Sequence, residues 1–249
     1  MFRTIGELVS QAEERGLPIS EIMLEQEAEA AGRSKEAITA DMARSFQVMR
    51  EAAAKGIAGV TSHSGLTGGD AKLMDEYIRA GNYLTDRTFL RALCYAVATN
   101  EVNAAMGLIC ATPTAGSCGV LPGVLLSARE KLGKSDGDVV KALFCAGAVG
   151  YVIANNAVIS GAAGGCQAEV GSASAMAAAA LVELAGGSPA QSAHAAAIAL
   201  KNMLGLACDP LAGLVEVPCI KRNAAGAAGA LAAAEMALAG IMSRVPPDE

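Results

Sequence analysis

Three long stretches of the chain, residues 171–185, 189–206 and 224–242, consist mostly of alanine and other small or aliphatic residues. Alanine has the highest helix propensity of any residue, and small side chains let neighbouring helices approach closely. Aromatic residues make up only 3% of the chain and tryptophan is absent, so the side chains typical of half-exposed sheets are scarce. We therefore predict an all-α (mostly α) protein, a compact bundle of Ala/Gly-rich helices. Short strands stay possible only around 57–61 and 214–218.

The length of 249 residues suits one well-buried domain or two small ones, and 53% of the residues are apolar. We predict a single domain over residues 1–249, with residues 1–55 as an N-terminal helical segment. Apolar residues recur there at helical spacing until Gly16 interrupts the pattern, and Ser34 is a candidate N-cap for a further helix. The amphipathic pattern predicts that this segment lies on the surface and docks on the main body or on a partner.

The charge balance and the hydropathy exclude several classes of function. A net charge of −6 argues against nucleic acid or an anionic membrane surface as a partner, because both need clustered lysine and arginine. The most membrane-like run is 139–159, but Lys141, Asn155 and Asn156 interrupt it, so we predict a buried helix. Seven cysteines without a signal peptide at the start of the sequence predict a protein of the reducing cytoplasm, in which disulfides are not expected.

Three of the cysteines stand in stretches that favour loops. Cys208 and Cys219 enclose Pro210 and Pro218, each of which fixes φ and lacks an N–H donor, and Cys166 follows a glycine-rich stretch. Three thiols presented from loops suggest a metal ion or a metal cluster. The alternative is that they are small buried apolar residues, as free cysteines usually are, since the chain has no CxxC pair.

Two Gly/Ser/Thr-rich loops are candidate anion sites. In the first, GVTSHSGLTGGDAKLM (59–74), Gly69 is followed by Asp70 rather than by a lysine, so the P-loop pattern fails. Backbone N–H groups near a helix N-terminus would still suit a substrate carboxylate, which we assign to Thr67, Gly68 and Gly69. An ordinary glycine-rich turn is the alternative.

The second loop, ATPTAGSCG (111–119), offers the hydroxyls of Thr114 and Ser117 to a carboxylate or an amino group. Its GSCG sequence also suits the nucleophile of a cysteine hydrolase. That chemistry needs a histidine within reach of the thiol, and the chain has only two histidines. We therefore prefer the anion-binding interpretation, and Cys118 stays unassigned.

Four segments together resemble one family over nearly the whole chain. They are GLTGGDA (65–71), NAAMGLICATPTAGSCGVLPGVLL (103–126), GCQAEVGSASAMAAA (165–179) and CDPLAGLVEVPCIKRNA (208–224). They look like the alpha chain of the two-chain, iron–sulfur-dependent L-serine dehydratases. This resemblance implies a [4Fe–4S] cluster held by Cys166, Cys208 and Cys219, with the fourth iron open to substrate.

The resemblance also implies a reaction and a partner. The reaction is the β-elimination of water from L-serine, which yields pyruvate and ammonia, with the open iron acting as a Lewis acid on the serine hydroxyl. The partner is a beta chain, because this family pairs the cluster-bearing region with a second region that carries a Ser-Ser-His-Thr-type motif. No such stretch occurs in this sequence.

Further residues take expected roles within this scheme. His63, beside the first loop, is the best candidate in the chain for the base, because histidine can titrate near neutral pH. His194, amid alanines, is expected to be a satisfied core residue. Glu169 is expected to orient the site, or only to stabilise a helix N-terminus. Lys221 and Arg222 would favour the thiolate form of the cysteines, or would simply be solvated.

Two other classes of protein stay open. A pyridoxal-phosphate-type amino-acid lyase would need a Schiff-base lysine and a phosphate cup, for which Lys72 is the passable candidate. A noncatalytic structural zinc protein would use three cysteines and would need a fourth ligand. The remaining cysteines Cys94, Cys110 and Cys145 have Ala/Leu-rich helical surroundings and are not expected to bind metal.

Overall fold

The computed structural model describes residues 2–249, so the first residue of the predicted 1–55 segment lies outside it. The described chain is 71% helical and contains no strand, which confirms the all-α prediction. One isolated bridge between Thr61 and Gly68 falls at the first of the two possible strand positions. The helices are α1 (Ile5–Arg15), α2 (Ile19–Ala31), α3 (Lys35–Ala58), α4 (Asp70–Ala80), α5 (Arg87–Ala104), α6 (Val120–Leu132), α7 (Asp136–Asn156), α8 (Gly161–Gly164), α9 (Cys166–Leu184), α10 (Pro189–Met203) and α11 (Cys219–Leu238).

The alanine-rich helix α9 lies at the centre of the bundle and is buried along most of its length. It packs against α6, α7, α10 and α11. The small side chains allow very close contact: a Cβ added to Gly226 of α11 would lie 2.7 Å from Val170 and 3.0 Å from Ser174, both on α9. Small residues such as Gly226 therefore set the distance between α9 and α11, and the alanines also favour the helical conformation.

The N-terminal helices dock on the body of the same chain. Phe2, Ile5, Leu8 and Ile19 are fully buried and belong to the same hydrophobic cluster as the alanines of α9. Helix α1 contacts α10, α2 lies along α7, and α3 packs on α5. The predicted N-cap of α3 is confirmed, since the Ser34 hydroxyl accepts a hydrogen bond from the Ala37 N–H at 3.2 Å.

A half-buried carboxylate on α9 binds the first turn of α2. The N-cap position of α2 is Pro18, whose side chain makes no capping bond. Glu183 takes this role and accepts a hydrogen bond from the Ser20 N–H at 3.2 Å. Burial raises the pKa of Glu183 above its usual range, despite the opposing effect of this bond.

We predict that Glu183 makes stability fall as pH rises. A carboxyl whose pKa is raised by folding favours the protonated state, so its contribution is full below the ordinary glutamate pKa of about 4 and is lost as pH rises through the raised value. Glu183→Gln keeps an acceptor for Ser20 but does not ionise. Denaturant unfolding from pH 4 to 8 should show a smaller loss of stability in Glu183→Gln than in the wild type. Equal pH dependence in both proteins would contradict the assignment.

Helix α7 is the one described helix that could cross a membrane by length and composition, and 67% of its apolar window is buried inside the protein. It begins at a capping box in which Ser135 and Asp138 bind each other's backbone N–H groups. It lies between α2 and α9. Burial of this kind is typical of a core helix and agrees with the predicted buried helix.

Two helix starts differ from the sequence prediction, and both concern the cysteines. The last alanine-rich stretch predicts a helix from residue 224, but α11 begins five residues earlier, at Cys219. Helix α9 begins at Cys166 itself, whereas a later start near residue 171 was expected. Proline is tolerated at a helix start and glycine readily adopts a positive φ, so Pro218 and Gly165 precede these helices without interrupting them.

Candidate active site

Cys166, Cys208 and Cys219 converge at one end of the bundle. Cys166 and Cys219 are the first residues of α9 and α11 and are 2% and 8% exposed. Cys208 is exposed in the loop between α10 and α11. The prediction that all three thiols lie in loops was therefore wrong for two of them. A helix N-terminus carries a partial positive charge, so both positions favour a thiolate more than a loop would.

Backbone contacts tie the start of α9 to the loop that carries Cys208. Gly165 has φ 79°, and a Cβ there would lie 3.0 Å from the Leu206 carbonyl oxygen. The Gln167 N–H donates to that same oxygen at 2.8 Å, and the Gln167 side-chain oxygen accepts from the Gly205 N–H at 2.8 Å. Only glycine permits this approach, and it brings Cys208 to the side of Cys166.

Arg222 bridges the same two segments. Its Nη1 donates to Cys166 Sγ at 3.2 Å and to the Ala207 carbonyl oxygen at 2.9 Å, and it pairs with Asp209 at 2.5 Å. Lys221 points elsewhere and forms an ion pair with Asp70. Of the two basic residues expected to favour thiolates, Arg222 contacts one of the three cysteines and Lys221 holds the start of α4.

The three thiols influence one another electrostatically. The pKa of Cys219 is raised to about 11, first by burial and then by the charges of Cys166, Glu169 and Cys208. Burial also raises the pKa of Cys166, whereas Arg222 lowers it and Cys208 raises it. The negative charge of each thiolate disfavours ionisation of the neighbouring thiols. Three thiolates at this place therefore need a positively charged group among them.

The three thiols do not form a ready site for a single metal ion. Among the described residues, no three His, Cys, Asp or Glu side chains are grouped closely enough to hold one metal ion. A single zinc ion needs such a group, usually with four ligands. A four-iron cluster takes its cysteine ligands at separate corners of a cube, so it does not require the thiols to meet at one point. All three cysteines are free.

The other four cysteines are packed inside the protein. Cys94, Cys118 and Cys145 are fully buried, and Cys110 is half-buried. The Cys94 thiol donates to the Ala71 carbonyl oxygen at 3.4 Å, and the Cys110 thiol to that of Ser45 at 3.3 Å. Burial raises the pKa of each of the four. Cys118 is thus a packing residue, which suits neither a nucleophile nor a ligand.

Glu169 connects the cysteines to the loop 111–119. Its carboxylate accepts a hydrogen bond from Thr114 and lies so close to Gly116 and Gly161 that a Cβ on either glycine would come within 2.5 Å of it. The Ser117 hydroxyl is fully buried and lies 3.0 Å from that of Thr114. Both hydroxyls predicted to hold an anion are therefore engaged with groups of the protein itself.

Two buried asparagines, Asn100 on α5 and Asn223 on α11, fix this loop against these two helices. Asn100 and Asn223 each donate to the Gly116 carbonyl oxygen, at 2.9 and 2.7 Å, and Asn223 accepts from the Gly119 N–H at 2.8 Å. Both side chains are 0% exposed. Asn223 lies one turn after Cys219, so the loop and this cysteine are positioned by a single side chain.

The loop 59–74 is held by two carboxylates from elsewhere in the chain. The Thr67 hydroxyl donates to Glu216 at 2.8 Å. The Asp70 and Ala71 N–H groups, at the start of α4, donate to Glu101 at 2.7 and 3.2 Å. The N–H donors at the start of α4 are thus Asp70 and Ala71, and they bind a carboxylate of the protein itself, whereas the binding of a substrate carboxylate at Thr67, Gly68 and Gly69 stays a prediction.

Gly68 is required for a close backbone approach. Its φ is 141°, and a Cβ there would lie 2.2 Å from the Val60 carbonyl oxygen and 2.7 Å from the Thr61 Cα. Gly69, with φ 82°, is the N-cap of α4. Substitution at Gly68 would therefore disturb the loop itself, so it cannot report on substrate binding alone.

The remaining candidates lie in different surroundings. His63 is exposed on the first loop, where its charge helps to lower the pKa of Glu216. His194 is half-buried on α10, and its Nδ1 has no hydrogen-bond partner among the described residues, so the expectation of a satisfied core residue was wrong. Lys72 is exposed on α4 and so lacks the enclosure that a Schiff-base lysine needs.

A groove of about 920 Å³ lies between α3, α5 and α7, and none of the three cysteines lines it. All four arginines that line it form ion pairs: Arg50 and Arg129 with Asp136, and Arg79 and Arg91 with Asp75. The groove therefore offers no free arginine to an anionic ligand, and the thiol-bearing end of the bundle is the stronger candidate site.

Sequence reasoning missed the residues that organise this end of the bundle. These are Glu101, Glu216, Asn100 and Asn223, all of which are at most 5% exposed. One signal was available: Glu216 stands between two valines in VEVPC, which suggests a carboxylate in apolar surroundings. The sequence does not show which residues donate to it, because these contacts join distant parts of the chain.

Comparisons with known proteins show the family to which the chain belongs. The family model described as serine dehydratase alpha chain matches residues 14–249. A probable L-serine dehydratase alpha chain of Bacillus subtilis (strain 168) is 60% identical over 249 residues, which cover 100% of this chain and 83% of that protein.

Two further relatives extend the comparison. The L-serine dehydratase alpha chain of Peptoniphilus asaccharolyticus is 42% identical over 251 residues, which cover 100% of this chain and 86% of that protein. L-serine dehydratase TdcG of Escherichia coli (strain K12) is 40% identical over 248 residues, which cover 95% of this chain but only 53% of that protein. The chain therefore belongs to the serine dehydratase alpha-chain family.

Proposed function

We propose that this chain is the alpha chain of an L-serine dehydratase, a lyase that converts L-serine to pyruvate and ammonia. The observation that carries the proposal is the convergence of Cys166, Cys208 and Cys219 in a chain 60% identical to a probable enzyme of this kind. Loss of water from serine leaves aminoacrylate, whose imine form takes up water and releases ammonia. The atoms balance without an oxidant or a reductant.

The three cysteines would hold a [4Fe–4S] cluster, which when bound supplies a Lewis acid for the serine hydroxyl at an iron without a protein ligand. The chain supplies the setting for this group. The starts of α9 and α11 place partial positive charge beside Cys166 and Cys219, and Arg222 adds a full positive charge beside Cys166. These charges offset part of the repulsion among the thiolates.

The serine carboxylate is proposed to bind at Thr67, Gly68 and Gly69, together with Thr114 and Ser117. Thr67 already donates to Glu216 and Thr114 to Glu169. A substrate carboxylate would therefore bind beside these carboxylates or take their place. Either arrangement makes substrate binding sensitive to how the two glutamates are held.

His63 remains our candidate for the base that takes the α-proton. Its side chain is exposed on the loop that precedes Thr67. General base catalysis needs the base within hydrogen-bond reach of its proton, in a site from which water is largely excluded. A surface from another chain would have to cover this loop to provide that enclosure.

A beta chain is the proposed partner, and the cytoplasm the proposed location. This chain aligns with only 53% of the length of L-serine dehydratase TdcG and of the L-serine dehydratase of Streptomyces coelicolor. Those proteins carry a further region of similar size in the same polypeptide. A separate chain equivalent to that region would complete a heterodimer.

The function is tested with the chain reconstituted with iron and sulfide under anaerobic conditions and mixed with its candidate partner. L-serine should yield pyruvate and ammonia in equal amounts. Matched samples receive zinc or pyridoxal phosphate instead of iron and sulfide. Turnover that depends on pyridoxal phosphate and not on iron would favour the alternative lyase, and no turnover in any sample would contradict the proposal.

The proposed role of Arg222 gives a prediction about cluster retention. Arg222→Gln removes the charge beside Cys166 and weakens the bridge to Ala207, so iron should be lost to a chelator about tenfold faster or more than from the wild type. Lys221→Gln is the matched control, because Lys221 pairs with Asp70 and not with a cysteine. Equal rates of iron loss from the two variants, followed by absorbance, would contradict this role.

A further inference from the structure

Glu216 is a buried carboxylate that has no ion-pair partner within 4.0 Å in the part of the chain that the structure describes. It is 5% exposed and stands three residues before Cys219, in the loop that links Cys208 to Cys219. A buried charge is costly unless hydrogen bonds replace its lost hydration. The position of Glu216 is therefore determined by whatever donates to it.

The donors all come from one short turn. The Ser64 hydroxyl lies 2.9 Å from both carboxylate oxygens of Glu216, and the Thr67 hydroxyl donates to one of them at 2.8 Å. The Ser62 hydroxyl lies 3.2 Å from that of Ser64 and contributes most to lowering the pKa of Glu216. Hydroxyls of the Ser62–Thr67 turn thus hold a carboxylate from a loop about 150 residues away in the sequence.

The turn is itself closed by hydrogen bonds. The Ser62 N–H donates to the Thr67 carbonyl oxygen at 2.9 Å, and the Leu66 N–H donates to the Ser64 hydroxyl at 3.1 Å. Ser64 therefore receives a bond from its own turn and gives one to Glu216. Movement of Glu216 would be transmitted through this hydroxyl to the backbone just before Gly68.

We infer that Glu216 is a positioning residue, whose carboxylate fastens the Ser62–Thr67 turn to the Cys208–Cys219 loop. The turn that leads into the segment Thr67–Gly69 is then ordered only while the cysteine loop is in place. A ligand that holds Cys208 and Cys219 would order both. The part of this inference that concerns substrate rests on the proposed function, whereas the part that concerns order in the turn does not.

The first test measures amide hydrogen exchange of the chain alone, without substrate. Residues 62–69 should exchange about tenfold faster or more in Glu216→Ala than in the wild type, with Glu216→Gln between them, because hydrogen bonds to a charged group are lost. Exchange in α9 should not change. Glu235→Gln, an exposed carboxylate on α11, is the matched control and should behave as the wild type. Unchanged exchange of residues 62–69 in Glu216→Ala would overturn the inference.

The second test removes the Ser64 hydroxyl, which contacts both carboxylate oxygens of Glu216, and leaves Thr67 and the cysteine loop intact, so that it decides the question even if Glu216→Ala fails to fold. The variant Ser64→Ala should show the same faster exchange in residues 62–69. In the reconstituted enzyme it should raise the KM for L-serine about tenfold and keep the iron content of the wild type. Faster exchange with an unchanged KM would overturn the positioning role. A wild-type enzyme that turns over no serine would instead count against the proposed function.

Discussion

Replacing Cys166, Cys208 or Cys219 by serine is expected to remove most of the iron from the reconstituted chain and nearly all activity. Each of the three thiols provides a ligand that a neutral hydroxyl does not replace. Loss of the Lewis acid removes several kcal/mol of stabilisation from the transition state, so activity should fall by about a thousandfold or more. Iron is measured after anaerobic purification, and turnover as pyruvate formed.

The matched control for these variants is Cys110→Ser. Cys110 is half-buried and its thiol donates to the Ser45 carbonyl oxygen at 3.3 Å, a bond that a serine hydroxyl can also make. Iron content and activity should stay close to those of the wild type. If Cys110→Ser loses the iron and Cys208→Ser keeps it, the assignment of the ligands is wrong.

Turnover by the chain alone is expected to be very low, and addition of the beta chain should raise it by orders of magnitude. Only two histidines are present, and neither His63 nor His194 is enclosed next to the cysteines. Misplacing a catalytic group by about 1 Å can cost a hundredfold in rate, and an absent enclosure costs more. The assay compares pyruvate formation by the reconstituted chain with and without the partner.

The control for the partner experiment is cluster content, which is measured in both samples. Equal iron with unequal turnover would show that the partner acts on the catalytic groups or the enclosure. Full turnover by the chain alone, with no increase when the partner is added, would contradict the two-chain proposal.

The sequence was sufficient for the fold class because the signal is local. The alanine-rich runs determine helix propensity and close packing at once, and α10, Pro189–Met203, lies within the predicted stretch 189–206. The starts of α9 and α11 were misplaced because Gly165 and Pro218 resemble helix breakers. In the folded protein they are the residues that allow a helix to begin directly at a cysteine.

The candidate site was predicted less completely, because its geometry depends on long-range contacts. The grouping of Cys166, Cys208 and Cys219 came from a family resemblance. The contacts that hold them and their loops together join residues far apart in the chain, such as Thr67 and Glu216 or Gly119 and Asn223. Rules based on sequence spacing do not predict which of these distant residues meet. Such rules also could not show that the hydroxyls of Thr67 and Thr114 already bind carboxylates of the protein.

The central claim is that three cysteines of this chain hold a [4Fe–4S] cluster, and the most direct test is the iron and acid-labile sulfide content of the anaerobically reconstituted chain. We predict about four iron and about four sulfide per chain in the wild type, with the loss of both in Cys166→Ser. One zinc per chain without sulfide, or an iron content that Cys166→Ser does not change, would contradict the account.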